Sequence, residues 1–415
     1  MSACRTAAIA VMLFAPAGAV AQGPPCALDN AGLTLPDGFC AVVVADSLGR
    51  ARHLTVAPNG DVLVAVPSRG DDGGVFLLRD VSGDGRADTQ HRLVADPMAV
   101  DVQVRSVRGV PYLYYSTYRE IVRLRWRPGA DAVEGAPDTV VRDLPGARQH
   151  GIKTFTFGPG GRLYVNHGAP SNACQQEDRT KGSPGMDPCP LLDTTGGVWL
   201  YDAERRGQTR ADGRRYATGL RNTVALAVRP ADGELYGVVH GRDQLGALWD
   251  YSDEVNAETP AEEFVRLVDG ADVGWPYCHY DRALEQKVLA PEYGGDLRAV
   301  GRCASVERPL VGFPAHWAPD GLHFHSGTGM PARYRGGAFI AFHGSWNRAP
   351  LPQQGFNVVF VPFQGDRAGA WQVFAEGFEA AGSRPVDVTE GPDGSLYVSD
   401  DRGGRVYRIL AHPRR

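Results

Sequence analysis

No apolar run in this 415-residue chain is long enough to span a bilayer comfortably, so no membrane-crossing helix is expected. Charge of one sign is missing too. The 43 basic and 48 acidic side chains are scattered rather than blocked, for a formal net charge of −5. Nothing there resembles a nucleic-acid footprint, short of a local basic groove, and no nucleic-acid partner is expected. There is no Ser nucleophile elbow, no GxGxxG opening a helix and no haem-attaching CxxCH. Cysteine is sparse, at seven residues.

What cysteine there is has a pattern. Residues 1–21 read as a secretory signal: Arg5 gives the basic start, AAIAVMLFAPAGA the apolar stretch, and Ala-Val-Ala before Gln22 the cleavage site. Cys4 precedes the apolar stretch, so six cysteines remain after cleavage, an even number suited to an oxidising compartment. The chain is therefore expected to be periplasmic or secreted. Spacing suggests three local pairs, Cys26–Cys40, Cys174–Cys189 and Cys278–Cys303, although sequence alone leaves the connectivity open. Each unstrained bridge would add roughly 3 kcal/mol.

Glycine and proline, by contrast, are plentiful, and they recur in register. LTVAPNGDVLVAV (54–66), FTFGPGGRLYVNH (155–167), LAVRPADGELYGVV (226–239) and VDVTEGPDGSLYVSD (386–400) repeat one phrase of strand, Gly-containing turn and strand. VDVQVRSVRGVPYLYYSTY (100–118) and MPARYRGGAFIAFHG (330–344) are degenerate copies. Most are followed by another apolar strand, such as GGVFLLRD (73–80) or GGVWLYDA (196–203). Such a unit cannot bury both faces alone, so the repeats must stack on one another. The expected fold is all-β: a six-bladed β-propeller of four-stranded antiparallel blades.

The organisation expected is a signal over 1–21, a lead-in and closing strand over 22–50, and the propeller over 51–411. FCAVVVAD (39–46) would supply the outer strand of the last blade and so protect the sheet edges. The blades are placed at about 51–98, 99–149, 150–219, 220–310, 311–380 and 381–411. Residues 169–195 form a polar insertion expected to shape substrate choice. In TPAEEFVRLV (259–268), Thr259, Pro260 and Glu262 predict a short capped helix. Asp80, Ser82, Asp84 and Gly85 match the start of a calcium loop, but His91 replaces the closing Glu, and a turn is the preferred reading. His323 and His325 could share a metal, although packing or a solvated face is preferred.

Polar residues just upstream of the blades' apolar strands would face a bowl at one end of the central channel. They are Arg52, His150, Arg221 with Asn222, His316 and Arg384, with His343 following what reads as the fifth inner strand. Mostly cationic and drawn from different blades, they form a candidate cage for an anion or cofactor.

HGIKTFTFGPGGRLYV, GLRNTVALAVRP, VVHGRDQLG, DVGWPYC, FPAHWAPDGLHFHSG, AFHGSWNRAP and SRPVDVTEGPDGSLYVSDD carry a family likeness. The chain resembles the soluble pyrroloquinoline quinone (PQQ)-dependent sugar dehydrogenases, in the branch that includes L-sorbosone dehydrogenases and secreted pyranose dehydrogenase domains. The resemblance covers essentially all of the mature chain. It implies oxidation of a sugar hydroxyl or hydrated aldehyde by hydride transfer to calcium-bound PQQ, with electrons passed to an external cytochrome, quinone or dye. It makes His150 the general base and sets Arg221 and Asn222 beside the quinone carbonyls. The backbone carbonyls of Gly241 and Arg242 become calcium ligands. His316, His343 and Arg384 come where the family holds the cofactor's carboxylates and ring oxygens, with Trp275 and Trp317 as aromatic walls. Arg52, from its place in the cage, is expected to bind the cofactor too.

Arg242, His343 and Val386 stand where the glucose-oxidising members have Pro, Lys and a second Arg, which points to the sorbosone branch. Two other classes stay open. A metal-dependent lactonase on the same fold needs carboxylates converging on the channel, and the ring reads as Arg and His instead. A non-catalytic binding propeller would present a flat, apolar bowl.

Overall fold

A computed structural model describes residues 26–411 apart from 147 and 328; the expected signal segment lies outside the described residues. Six sheets of four or five strands follow one another along the chain. They are antiparallel except that Gln208–Thr209 and Ala271–Asp272 each add a parallel fifth strand to the second and third. Blade 1 is Leu54–Val56, Val62–Val66, Gly74–Arg79 and Thr89–Val94, ordered from the axis outward. The other blades start at inner strands Asp101–Val107, Phe155–Phe157, Ala225–Val228, Pro319–Phe324 and Pro385–Glu390. All six inner strands contribute to one central cavity of about 270 Å³. This is the six-bladed β-propeller. Phe39–Ala45 pairs antiparallel with Arg405–Ala411, as the outer strand of the last sheet.

The repeat explains the local geometry. Gly60 and Gly394 turn inner strand into second strand at φ +92° and +80°, a region that a Cβ disfavours. Second strands such as Val62–Val66 and Ala338–Phe342 are buried on both faces, because each blade is sandwiched between two others. Their sequences are correspondingly apolar throughout. Six apolar clusters lie one between each neighbouring pair of blades. Tyr114, Ile121, Phe155, Leu163 and Trp199, for example, join blades 2 and 3. All three expected disulfides are present.

Three expectations need correction. Residues 259–268 are not a helix: Glu262–Leu267 is the third strand of blade 4, paired with Leu235–Val239, and only Arg266 on it is exposed. The helix lies just before it, Asp253–Glu258, capped by Ser252. A pattern that caps a helix on paper is overridden because Phe264, Val265 and Leu267 fill the spaces between blades. Blade 4 also ends later than placed, since Val311–Phe313 is its outer strand, paired with Glu262–Phe264. Finally, His343 follows the second strand of blade 5, not the inner one.

The calcium-like loop is a turn held by its own backbone. Asp80 accepts from the amides of Gly83 and Gly85 at 2.7 and 2.8 Å, and Asp88 from those of Val81 and Ser82 at 2.6 and 2.8 Å. His323 and His325 share a partner, Glu390, at 3.3 and 3.7 Å.

Candidate active site

One mouth of the ring opens into a bowl of about 460 Å³. Arg52, His150, Arg221, Asn222, Gly241, His316, His343 and Arg384 all line it, so residues spread over more than 330 positions converge. His150 and His316 take left-handed backbone, at φ +52° and +65°. Such conformations persist in non-glycine residues only where the surroundings fix them, and they concentrate at functional sites.

His150 is set by one bond. Its Nδ1 lies 2.6 Å from the carbonyl of Ala169, which can only accept, so Nδ1 carries the proton and Nε2 keeps its lone pair for the bowl. Burial, and then the charge of Arg221, push its pKa well below the ordinary 6.5. The imidazole is thus neutral and basic at Nε2.

The cage is less cationic than its sequence suggests. Arg221 donates to Asp243 at 2.7 Å, to the Gly241 carbonyl at 2.9 Å and to Asn172 Oδ1 at 3.1 Å. Arg52 bridges Asp320 and Asp401, both at 3.0 Å, and His343 meets Asp401 at 2.8 Å. Asp243 also takes Arg179 at 3.1 Å and the amide of Asn347 at 2.9 Å. Burial pushes Asp243 upward, but Arg221, His316 and Arg179 outweigh it and hold the carboxyl far below its usual range. For Asp401, burial is likewise outweighed by His343 and Arg52, which leave it at about 2. Sequence reading named the cations and missed these carboxylates, so the expectation of a ring of Arg and His without them was wrong. The missing rule is physical: a buried guanidinium needs a buried anion. Asp243 in HGRD and Asp401 in VSDD sat inside motifs already singled out.

Arg384 is the exception. Its Nε donates to the His343 carbonyl at 2.9 Å, and among the described residues its guanidinium forms no ion pair, although its backbone amide donates to Asp400 at 2.7 Å. Arg242 faces the other way. Its guanidinium pairs with buried Glu292 at 2.5 and 2.6 Å, and Arg242, expected as a calcium ligand, does not line the bowl. Trp275 and Trp317 do not line the bowl. Trp275 packs on Cys174–Cys189, with its indole N–H on the Asn172 carbonyl at 2.9 Å. Trp317 is buried against Phe342 and Trp371. The tryptophan that does line the bowl is Trp346, 62% exposed, which sequence reading passed over within the AFHGSWNRAP motif.

A family model described as TrAA12-like matches residues 33–412. The chain belongs to the TrAA12-like family. A PQQ-dependent pyranose dehydrogenase of Coprinopsis cinerea is 27% identical over 235 residues, which cover 48% of this chain and 31% of that protein. This chain spans less than half the length of the curated relatives it matches. Among solved structures, a Trichoderma reesei carbohydrate-active enzyme of family AA12 aligns with a TM-score of 0.75 at 18% identity. It covers 92% of this chain and 98% of that one. The PQQ domain of the Coprinopsis pyranose dehydrogenase, in its holo form, gives 0.73 at 20% identity, over 94% and 98%. These two likenesses show the propeller fold.

Proposed function

We propose that this TrAA12-like protein is a PQQ-dependent sugar dehydrogenase, oxidising a sugar hydroxyl or hydrated aldehyde and passing the electrons to an external acceptor. The observation that carries the reading is the pairing, in one bowl, of a neutral imidazole free at Nε2 with a guanidinium, Arg384, that has no anion of its own.

The donor set fits the cofactor. PQQ is a polyanion with two quinone oxygens, and Arg384 with the N–H groups Arg52 has left over would hold its carboxylates. His316 already spends its ring nitrogens on the Asn256 carbonyl at 2.7 Å and the Asn347 amide at 3.3 Å. Calcium would be held at the Gly241 carbonyl, which already accepts from Arg221 at 2.9 Å, with Glu262 and Asp243 also lining the bowl; among the described residues no cluster of three or more His, Cys, Asp or Glu is placed to hold a metal. Bound there, the pair would supply a two-electron oxidant and a Lewis acid. His150 Nε2 takes the hydroxyl proton of the substrate, Arg221 stabilises negative charge developing opposite it, and Trp346 offers an apolar face to a sugar ring. Three disulfides suit a periplasmic or extracellular site. No helix among the described residues is long and apolar enough to cross a membrane.

The reading is tested by titrating the apoprotein with PQQ, with and without Ca²⁺, and following dye reduction with aldoses, sorbosone and glucosone. Calcium-dependent binding with sugar-driven reduction supports it; no binding at micromolar PQQ with Ca²⁺ present ends it. The pH profile is a second check. His150 must be unprotonated to act, and its pKa lies below 6.5, so proton uptake silences it only at lower pH. Accordingly kcat/KM should hold as pH falls from 7 through 6.5. An acid limb above that value would count against His150 as the base.

A further inference from the structure

The insertion 169–195 leaves blade 3 between its second and third strands, and its first turn bonds to His150 and Arg221. Ala169 accepts the Nδ1 proton of His150 through its carbonyl, while its amide donates to the Arg221 carbonyl at 2.8 Å. Three residues on, Asn172 is fully buried. Its Oδ1 accepts from Arg221 at 3.1 Å and from the Asp243 amide at 2.9 Å, and its Nδ2 donates to the Asp243 carbonyl at 3.0 Å. Its own carbonyl takes Arg221 Nε at 3.2 Å and the Trp275 indole at 2.9 Å. The turn is itself pinned. Asp178 accepts from Ser171 Oγ at 2.6 Å and from the Asn172 amide at 3.0 Å, and Cys174 is bonded to Cys189.

We propose that Asn172 is a positioning residue: through it the disulfide-stapled turn 169–174 sets Arg221 and Asp243 in register with His150. The inference rests on the function proposed above. Asn172 reads both main-chain groups of Asp243 at once, donor and acceptor, so an isosteric carboxylate cannot replace it. Asn172→Asp loses the donor to the Asp243 carbonyl and sets one anion against another. The insertion is then part of the frame of the site, and its role begins before any substrate arrives.

The test compares Asn172→Ala and Asn172→Asp with the double variant Cys174→Ser/Cys189→Ser. Cys26→Ser/Cys40→Ser, a staple on the last blade, is the control. In the PQQ- and Ca²⁺-loaded enzyme, kcat for the sugar should fall about 10²-fold in the first three, since small misplacements of reacting groups cost that much, with KM within about threefold. The control should lower the melting temperature and leave kcat within about twofold. Hydrogen exchange on the unloaded protein gives the second readout: peptides covering 169–174, 219–223 and 240–244 should lose protection while the other blades keep theirs. Should the wild type prove inactive with PQQ, the function fails while this exchange pattern still tests the frame. A raised KM with unchanged kcat, an unchanged exchange pattern, or loss of protection spread over all blades would overturn the proposal. If Asn172→Ala does not fold, Asn172→Asp and the double cysteine variant decide it.

Discussion

His150→Ala is expected to lower kcat by about 10²–10⁴-fold, the usual contribution of a positioned general base. Calcium-dependent PQQ binding should survive, because the cations proposed to hold the cofactor come from other blades. Tautomer and charge set this effect. Ala169 fixes the proton on Nδ1, and burial with Arg221 keeps the ring neutral, so the lone pair on Nε2 is available at any pH near neutral. Removing the ring breaks one hydrogen bond to a carbonyl, a loss of about 1 kcal/mol, and the melting temperature should move little. Single-turnover reduction of the loaded enzyme, read beside a thermal melt, separates the two possibilities. A residue that merely starts a strand would give an unchanged kcat and a lower melting temperature. A full-rate His150→Ala enzyme would remove the base from the scheme and leave proton removal to another group in the bowl.

The sequence made the ring legible and left its wiring obscure, for one physical reason. A repeat of apolar strands with a glycine at a left-handed turn is dictated locally, and Gly60 and Gly394 do in structure what their phrases announce. The convergence of Arg52, His150, Arg221, His316 and Arg384 was readable too, because each lies shortly before the inner strand of its own blade. Partners are another matter. Asp401 reaches Arg52 across 349 positions and Asp320 reaches it across 268, distances over which no local pattern operates. Glu262 shows the same limit. Read along the chain it completes a helix cap; folded, it is a buried strand residue accepting from the amides of Gly241 and Ala318 at 2.7 and 3.1 Å. Asn172 gave no signal at all, since a lone Asn in a polar loop looks like any turn residue. Only its complete burial makes its three side-chain bonds consequential.

The largest effect on stability is expected at Glu292, well behind the bowl. Its side chain is entirely covered and that of Arg242 is 3% exposed, so the pair has no water to fall back on. Glu292→Ala leaves a guanidinium buried without its anion and also strips the acceptor of the Trp249 indole, now 2.8 Å away. Losing one member of such a pair costs about 3–5 kcal/mol, far more than an exposed ion pair. Arg242 would keep its bonds to the Asp243 carbonyl at 3.2 and 3.1 Å, which places the strain on the Gly241–Asp243 turn itself. Calcium-dependent PQQ binding should therefore weaken along with stability. The decisive comparison is the double variant Arg242→Met/Glu292→Leu, which removes both charges and keeps apolar bulk in their place. Replacing a whole buried pair by apolar side chains is often close to neutral, so the double variant should regain most of the stability lost by Glu292→Ala. Denaturant midpoints of the three proteins measure it. A double variant as unstable as the single one would mean that the pair matters for its shape and its bond to Trp249, and that the buried charge at the turn is not what Glu292 is there to balance.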